Sequence, residues 1–417
     1  MLRLVSPRLV AGLAVLLSVV GAQAQSGNRV FDRTVDIVRE NFYHRADLST
    51  FNAAVAAVIA RMPDLAAAAA GSDTTREAVD AVLASLGASH TGRFVQDDLD
   101  YYELADVFRF ALRRDMRRAF PPEGEVRYDG IGIATAVVGR RVFVTDVYDG
   151  GPAAGAGIMP GDEILTVDGE AFTELGSFKG KVGRLAEVSL RRTADGEPFS
   201  VEVRVARLQP TESYLTAIRE SARVVVEHDG YRIGVVRLWS YTAGDQVTRV
   251  LYDEIADGAL ADADGLVLDL RSRWGGAPAD AAETFVGGTA DMRLVDRDGD
   301  ENYANERWRR PLVAIIDEGT RSGMELLAYS LKKNGVPLIG AETAGDVLAA
   351  TAYLLPDNSL LVLAVQDVFV DDDVRLEGNP VQPDVAVSFD VRYAAGSDPQ
   401  LDAALAVLTN QLSGAAD

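Results

Sequence analysis

The chain contains no cysteine, three histidines and only four lysines among its 417 residues. Without cysteine it can form no disulfide, no thiolate nucleophile and no cysteine-ligated zinc site. The shortage of histidine and lysine also restricts which side chains could act as a general base. The lysines are Lys179, Lys181, Lys332 and Lys333.

Basic residues are also in the minority, with 41 Lys and Arg against 63 Asp and Glu and a formal net charge of −22. A field of this sign repels nucleic acid and anionic membrane surfaces, so neither is expected as a partner. The apolar fraction of 48% and the charged fraction of 25% are those of a globular protein. The length predicts two or three domains.

The first 24 residues have the organisation of a secretory signal peptide. Arg3 and Arg8 precede an apolar run at 9–20, and Ala22-Gln23-Ala24 presents the small residues that a signal peptidase accepts. The run is shorter than the roughly 20 residues of a membrane-spanning helix. We expect cleavage after Ala24, a periplasmic or secreted protein, and no stable membrane span once the signal is removed.

The spacing of apolar residues changes twice along the rest of the chain. Apolar residues recur at helical spacing from about residue 30 to 120, and Pro121, Pro122 and Gly124 then interrupt the pattern. Short strands and turns follow as far as Val205 and indicate a small β-rich domain. After a helical linker at 211–223, strand and helix patterns alternate, which predicts an α/β layer structure. Its elements are predicted at 233–238, 247–255, 266–270, 279–285, 312–316 and 324–331.

The β-rich domain resembles a PDZ domain. The resemblance rests on Gly130-Ile131-Gly132-Ile133 and on the long glycine-containing segment at 151–169. Consecutive backbone N–H groups in a tight glycine turn can hold a terminal carboxylate, while a strand edge pairs with an extended peptide. The resemblance therefore implies that residues 130–133 bind the C-terminus of a polypeptide.

Ser322 is a candidate nucleophile, because a chain without thiols must use Ser, Thr or Lys for covalent chemistry. It lies between a buried-strand pattern and a helical run, where the helix N-terminus favours a nearby oxyanion. The same position suits a helix N-cap, and the local sequence alone favours that structural role. His90 follows the third helical stretch, whereas His44 and His228 occupy turns with no evident partner.

A second resemblance provides the context for these residues, namely to the tail-specific proteases, which include the C-terminal processing peptidases and the tricorn core protease. The similarity extends over about 30–389 and includes Leu86-Gly-Ala-Ser-His-Thr91. Four further segments match in the same order: Leu266-Val-Leu-Asp-Leu-Arg-Ser-Arg-Trp-Gly-Gly276, Asp317-Glu-Gly-Thr-Arg-Ser-Gly-Met-Glu325, Gly340-Ala-Glu-Thr-Ala-Gly345 and Leu376-Glu-Gly-Asn-Pro-Val-Gln-Pro-Asp384.

The resemblance implies one of two base arrangements. The Ser-Lys dyad needs a lysine near position 346, where this chain has Asp346, and no lysine follows residue 333. The tricorn-type arrangement uses a Ser-His pair, a nucleophilic Ser and a Glu before the closing Pro-Asp. Matched by position, the resemblance assigns Ser89 and His90 to the pair, Ser322 to the nucleophile and Glu377 to the carboxylate.

An acyl-transfer site of this kind also needs donors for the tetrahedral oxyanion. The N–H of Gly323 directly follows the nucleophile, and the Gly275-Gly276 turn brings backbone close without a side chain. Together these features predict an exported serine endopeptidase that acts on unfolded or tail-exposed polypeptides through a Ser-His-Ser-Glu tetrad. No metal or cofactor is expected, and a homo-oligomer is left open.

The resemblance implies an α/β, crotonase-like (ClpP-like) layered core with an N-terminal helical region and an inserted PDZ-like domain. A pseudoprotease that binds peptides as a periplasmic adaptor is the alternative, motivated by Asp346 and by Met324 beside Glu325. The predicted division is a signal peptide at 1–24, a helical region at 25–125, the PDZ-like domain at 126–208, the protease core at 209–395 and a C-terminal helix at 396–417.

Overall fold

The computed structural model describes residues 25–226, 230–271, 274–287, 292–304 and 307–414. The predicted signal peptide and His228 lie outside these residues. The α-helices described are α1 (Arg29–Asn41), α2 (Leu48–Arg61), α3 (Asp73–Ala84), α4 (Leu99–Val107), α5 (Met116–Ala119), α6 (Pro152–Gly155), α7 (Pro210–Ser221), α8 (Asp245–Ala256), α9 (Gly323–Lys333) and α10 (Pro399–Gly414). No helix in this part of the chain is long and apolar enough to cross a membrane.

The strands fall in three regions of the chain. In the front half they are β1 (Gly92–Phe94), β2 (Tyr128–Gly130), β3 (Ile133–Val138), β4 (Arg141–Val147), β5 (Glu163–Val167), β6 (Leu185–Arg191), β7 (Phe199–Arg204) and β8 (Ala206–Leu208). The middle contains β9 (Arg223–Val226), β10 (Arg232–Arg237), β11 (Gly265–Asp269), β12 (Met292–Val295), β13 (Glu301–Ala304) and β14 (Leu312–Ile316). The last region contains β15 (Leu338–Gly340), β16 (Ala349–Leu354), β17 (Leu360–Gln366), β18 (Phe369–Val370), β19 (Val374–Arg375) and β20 (Val385–Ala386).

A six-stranded sheet in the order β20-β15-β14-β11-β10-β9 forms the centre of the core. Its pairs are parallel except for β9, which runs antiparallel to β10. All residues of β11 and β14 are buried, as expected for parallel strands covered on both faces. Helices α7, α8 and α9 cover one face of the sheet, and α10 covers the other.

The predicted α/β alternation in the core is confirmed with one exception. Residues 279–285 form only a short 3-10 helix, Ala281–Thr284, because Pro278 and Gly287 bound a segment too short for a longer helix. The linker predicted at 211–223 is α7, and the helix predicted at 324–331 is α9. Both α8 and α9 bury their apolar side chains against the sheet.

The β-rich domain contains the five-stranded sheet β3-β4-β5-β6-β7 and the separate pair β2-β8. The sheet is antiparallel, and its apolar face packs on the short helix α6 around Ala153 and Ile158. The core helix α7 begins two residues after β8. The domain is therefore an insertion between the helical front end and the α/β core.

A small second sheet attaches the helical front end to the core. Strand β1, which begins two residues after His90, pairs antiparallel with β17, so that Gly92 lies opposite Val362. Helices α1, α2 and α3 bury their apolar faces against the same sheet. Asn28 and Ser72 cap α1 and α3 through side-chain oxygens. This pairing brings the Ser89-His90 pair to the core, although more than 200 residues separate it from Ser322.

Candidate active site

Ser322 lies at the tight connection between β14 and α9. Its backbone is in an unfavourable region for a residue with a side chain, with φ 56° and ψ −130°, and its N–H donates to the Asp346 carbonyl over 2.9 Å. Although Ser322 occupies the N-cap position of α9, its hydroxyl makes no capping hydrogen bond. The capping role that the local sequence favoured is therefore wrong, because no helix N–H group donates to the Ser322 hydroxyl.

The glycine turn after β11 packs directly on Ser322. A Cβ atom placed on Gly275 would lie 2.5 Å from the Ser322 Cβ and 2.8 Å from the Gly323 nitrogen. A Cβ on Gly323 would likewise lie 2.5 Å from both the nitrogen and the oxygen of Ala277. Gly276 has φ +85°, a conformation that favours glycine. The two backbone segments can approach this closely only because glycine lies at each contact.

A hydrogen-bonded chain connects His90 to Glu377. The Ser89 Oγ lies 2.9 Å from His90 Nδ1 and donates to Glu377 Oε2 over 2.8 Å. A hydroxyl has one proton, so a Ser89 hydroxyl that donates to the carboxylate must accept from the imidazole. This network assigns the proton of the neutral ring to Nδ1 and leaves Nε2 as the basic nitrogen.

Glu377 is itself fixed by backbone donors. Its carboxylate accepts from the N–H groups of Ser89 at 3.2 Å, Val347 at 2.8 Å and Leu348 at 3.3 Å. The neighbouring Asp346 carbonyl receives the N–H of Ser322. The segment 346–348 therefore contacts the nucleophile and the carboxylate at once and places both in one cluster. Among the described residues, the Ser322 hydroxyl and the His90 ring form no direct hydrogen bond, a geometry that often tightens only when substrate binds.

The surroundings of His90 keep its ring neutral. Burial and the positive charge of Arg321 together lower the pKa of His90 to about 4, while Asp346 and Glu377 act in the opposite direction. Arg321 forms an ion pair with Asp346 and lies over the ring of Trp274. A neutral imidazole at pH 7 is the form that can accept a proton from a hydroxyl.

No lysine stands in for the imidazole at this site. Asp346, at the position of the dyad lysine, is engaged by Arg321. Lys332 and Lys333 lie in the last turn of α9 and form ion pairs with Asp384 and Asp371. Both lysines therefore lie at the far end of the helix from Ser322. Their side chains are 36% and 57% exposed and contact solvent.

The other sequence candidates lie apart from this cluster. His44 pairs with Asp47 at 2.8 Å on the surface, a partner that the sequence did not indicate. Residues 130–133 join β2 to β3 in the inserted domain and are buried. The Ile131 carbonyl accepts from Ala153 N–H, and the Gly132 carbonyl accepts from Tyr148 N–H.

The sequence did not identify Glu325 as a supporting residue. Its fully buried carboxylate accepts from the Thr343 hydroxyl at 2.5 Å and from the N–H groups of Gly345 and Asp346, each at 2.8 Å. It thereby fixes the segment that contacts Ser322. An acidic residue in the first turn of a helix is common, so its burial had no signal in the local pattern.

A second buried carboxylate, Glu103 of α4, supports the glycine turn. It accepts from the Trp274 indole N–H and from the Tyr148 hydroxyl, each at 2.5 Å. Trp274 directly precedes Gly275, whereas Tyr148 belongs to the inserted domain. Glu103 therefore connects the front end, the inserted domain and the turn beside Ser322.

Two family models match the chain. Peptidase family S41 matches residues 232–387, and the PDZ domain model matches residues 130–205. The first covers all strands of the central sheet except β9, together with the Ser322 connection and Glu377, while the second covers the inserted β-rich domain. Ser89 and His90 lie outside both matches.

Curated relatives agree with these models. The chain is 24% identical to the carboxy-terminal processing protease CtpA of Bacillus subtilis over 68% of this chain and 61% of that protein. It is 27% identical to the carboxyl-terminal-processing protease of Synechocystis over 69% of each chain. The chain thus spans about six tenths to seven tenths of the length of these relatives.

A solved structure shows the same fold. The tricorn protease superimposes with a TM-score of 0.55 at 20% identity, covering 93% of this chain and 37% of that one. The fold is that of an α/β protease, which confirms the expected fold class at this level. Because both domain types and the processing-protease relatives agree, the chain belongs to the family of tail-specific (C-terminal processing) proteases with a PDZ domain, whose members are serine-type peptidases.

Proposed function

We propose that this protein is an exported serine endopeptidase that cleaves unfolded or tail-exposed polypeptides with Ser322, His90, Ser89 and Glu377. The observation that carries the proposal is the hydrogen-bonded chain from Glu377 through Ser89 to His90, held beside Ser322 by the segment 346–348. The relatives named as carboxyl-terminal-processing proteases support polypeptide tails as the substrate class.

In this mechanism His90 Nε2 accepts the Ser322 proton as the hydroxyl oxygen attacks a peptide carbonyl. The imidazolium then donates that proton to the leaving amine, and water hydrolyses the acyl-enzyme by the same steps. Glu377 fixes Ser89, and Ser89 accepts from Nδ1–H, so the ring keeps the tautomer that the first step requires. The N–H of Gly323 and the N–H groups of the Gly275-Gly276 turn stabilise the oxyanion.

Further parts of the proposal rest on the sequence. Residues 130–133 of the inserted domain bind the substrate C-terminus, the core layering is crotonase-like, and the leader at 1–24 directs export to the periplasm or beyond. The division into a front end, inserted domain, core and C-terminal helix remains our prediction. The edge position of β3 in its sheet supports peptide addition there, because an edge strand leaves backbone groups unpaired.

The proposal is tested by incubating the mature protein with an unstructured polypeptide and mapping the products by mass spectrometry. We expect cleavage by the wild type and none by Ser322→Ala, because that variant lacks the attacking oxygen. Intact substrate in both samples, together with retained binding of peptide tails, would support the adaptor alternative instead.

The low pKa of His90 predicts an unusual pH profile. Since only the neutral ring can act as base, labelling of Ser322 by a fluorophosphonate should persist at pH 5 and fall by half near pH 4, not near the ordinary 6.5. Arg321→Gln removes a charge that lowers this pKa and leaves Asp346 unpaired, so the half-point should move upward. The labelling rate from pH 3.5 to 8 gives the half-point of the wild type and of Arg321→Gln, and circular dichroism excludes acid unfolding. An unchanged half-point in Arg321→Gln would contradict this electrostatic account.

A further inference from the structure

A charged cavity of about 450 Å³ opens beside the site, between the inserted domain and the core. The inserted domain contributes Thr145, Asp146 and Pro160 to its wall, and the segment before α10 contributes Phe389 and Val391. Trp274 and Arg321 also line it, and these residues directly precede Gly275 and Ser322. A group bound in this cavity therefore lies next to the reacting centre.

The guanidinium groups in the cavity are already paired. Arg237 contacts Asp146 at 2.7 Å, and Arg271 contacts Asp398 at 2.7 Å. Arg321 is engaged by Asp346. Among the described residues of the wall, the acidic side chains Asp317 and Glu318 form no ion pair with these arginines, so this part of the wall has an excess of negative charge.

Asp317 supplies part of this excess. It follows β14, and its Oδ1 accepts from Gly319 N–H at 2.9 Å. Its Oδ2 has no hydrogen-bonding or ionic partner among the described residues. Glu318 beside it is exposed and also makes no ion pair in this part of the chain. Burial, together with the negative charges of Asp269 and Glu318, raises the pKa of Asp317 to about 6, while Arg271 and Arg237 act in the opposite direction.

A half-buried carboxylate in a cavity wall, with one oxygen that has no partner among the described residues, is a site for a cation. A polypeptide can supply that cation as the ammonium of lysine or the guanidinium of arginine. The cavity volume is sufficient for either side chain. An anionic side chain or a terminal carboxylate would meet Asp317 and Glu318 unfavourably, because the arginines are already neutralised.

We propose that this cavity is a substrate subsite for a lysine or arginine side chain, with Asp317 Oδ2 as the ion-pairing acceptor. The assignment rests on the proposed function in taking the ligand to be part of a polypeptide. It adds a preference for basic residues at one position near the scissile bond, which the family assignment does not supply.

The test uses Ser322→Ala, so that peptides bind without being cleaved. Fluorescent decapeptides carry a single lysine, arginine, norleucine or glutamate that is moved along an otherwise uncharged sequence. We expect the lysine and arginine peptides to bind roughly tenfold more tightly than the norleucine peptide at one position, with glutamate weakest. Adding Asp317→Asn should bring the lysine-to-norleucine ratio close to one. Asn can still accept from Gly319 N–H, so the turn is kept.

Asp195→Asn, on an exposed turn of the inserted domain, is the matched control and should leave the ratio unchanged. Equal affinity for lysine and norleucine at every position, tighter binding of glutamate, or a ratio that survives Asp317→Asn would overturn the subsite. Fluorophosphonate labelling of Ser322 in the wild type is measured in parallel. A lysine preference without labelling would support the subsite and contradict the peptidase function. Labelling without a lysine preference would support the peptidase function and contradict the subsite.

Discussion

Replacing His90 with alanine should lower the turnover of peptide hydrolysis by about 10⁴-fold or more, because the Ser322 hydroxyl then has no base to accept its proton. Arg321 and the lysines of α9 are held in ion pairs, and Asp346 is paired with Arg321, so the described neighbours offer no replacement base. The loss of turnover is measured by steady-state hydrolysis of the polypeptide that the wild type is found to cleave.

Ser89→Ala serves as a graded comparison. Ser89 hydrogen-bonds to the imidazole and acts through it, so its loss should leave the ring orientation unfixed and lower turnover by about 10- to 100-fold, with a smaller effect on KM. If His90→Ala and Ser89→Ala lower turnover equally and only slightly, His90 is not the base. The melting temperature of each variant shows whether the fold is retained.

Gly275→Ala should lower turnover by roughly 1000-fold, since its new Cβ would lie 2.5 Å from the Ser322 Cβ and 2.7 Å from the Arg321 carbonyl. These are positions that real Cβ atoms do not occupy, so either the glycine turn or the nucleophile must move. Movement of the turn removes oxyanion donors, and movement of Ser322 takes the hydroxyl away from His90. Turnover and fluorophosphonate labelling measured on the same preparation report both effects.

Gly155→Ala is the matched control for this substitution. Gly155 ends the short helix α6, has an ordinary backbone conformation, and has no heavy atom within 4 Å of the position its Cβ would take. It should keep wild-type turnover. Gly275→Ala with turnover within threefold of the wild type would mean that the glycine turn does not shape the site.

The strongest patterns in the sequence predicted the core well. Five consecutive apolar residues predicted β14 at its observed bounds, and the helical spacing after Ser322 predicted α9. Both predictions succeed because the residues that a buried parallel strand or an amphipathic helix buries can be recognised from the local spacing of apolar residues. The family resemblance, with aspartate where the dyad has lysine at position 346, likewise predicted that the Ser-Lys dyad is absent.

Other features depend on contacts between distant segments, and local patterns do not encode them. Strand β1 was taken as part of a helical region, yet its pairing with β17 brings His90 to the core. The burial of Glu325 and Glu103, and the pairing of Arg321 with Asp346, likewise arise only after folding. The capping role of Ser322 failed because a serine after a strand fits both a cap and a strained turn, and only the backbone dihedral angles distinguish them.

Fluorophosphonate labelling of Ser322, located by mass spectrometry in the wild type and in His90→Ala at pH 7.5, measures base-assisted activation of this hydroxyl. The account predicts that the wild-type protein is labelled at Ser322 and that the His90→Ala protein, with the same melting temperature, is not. Equal labelling of the two proteins would contradict it, because another group would then activate the hydroxyl.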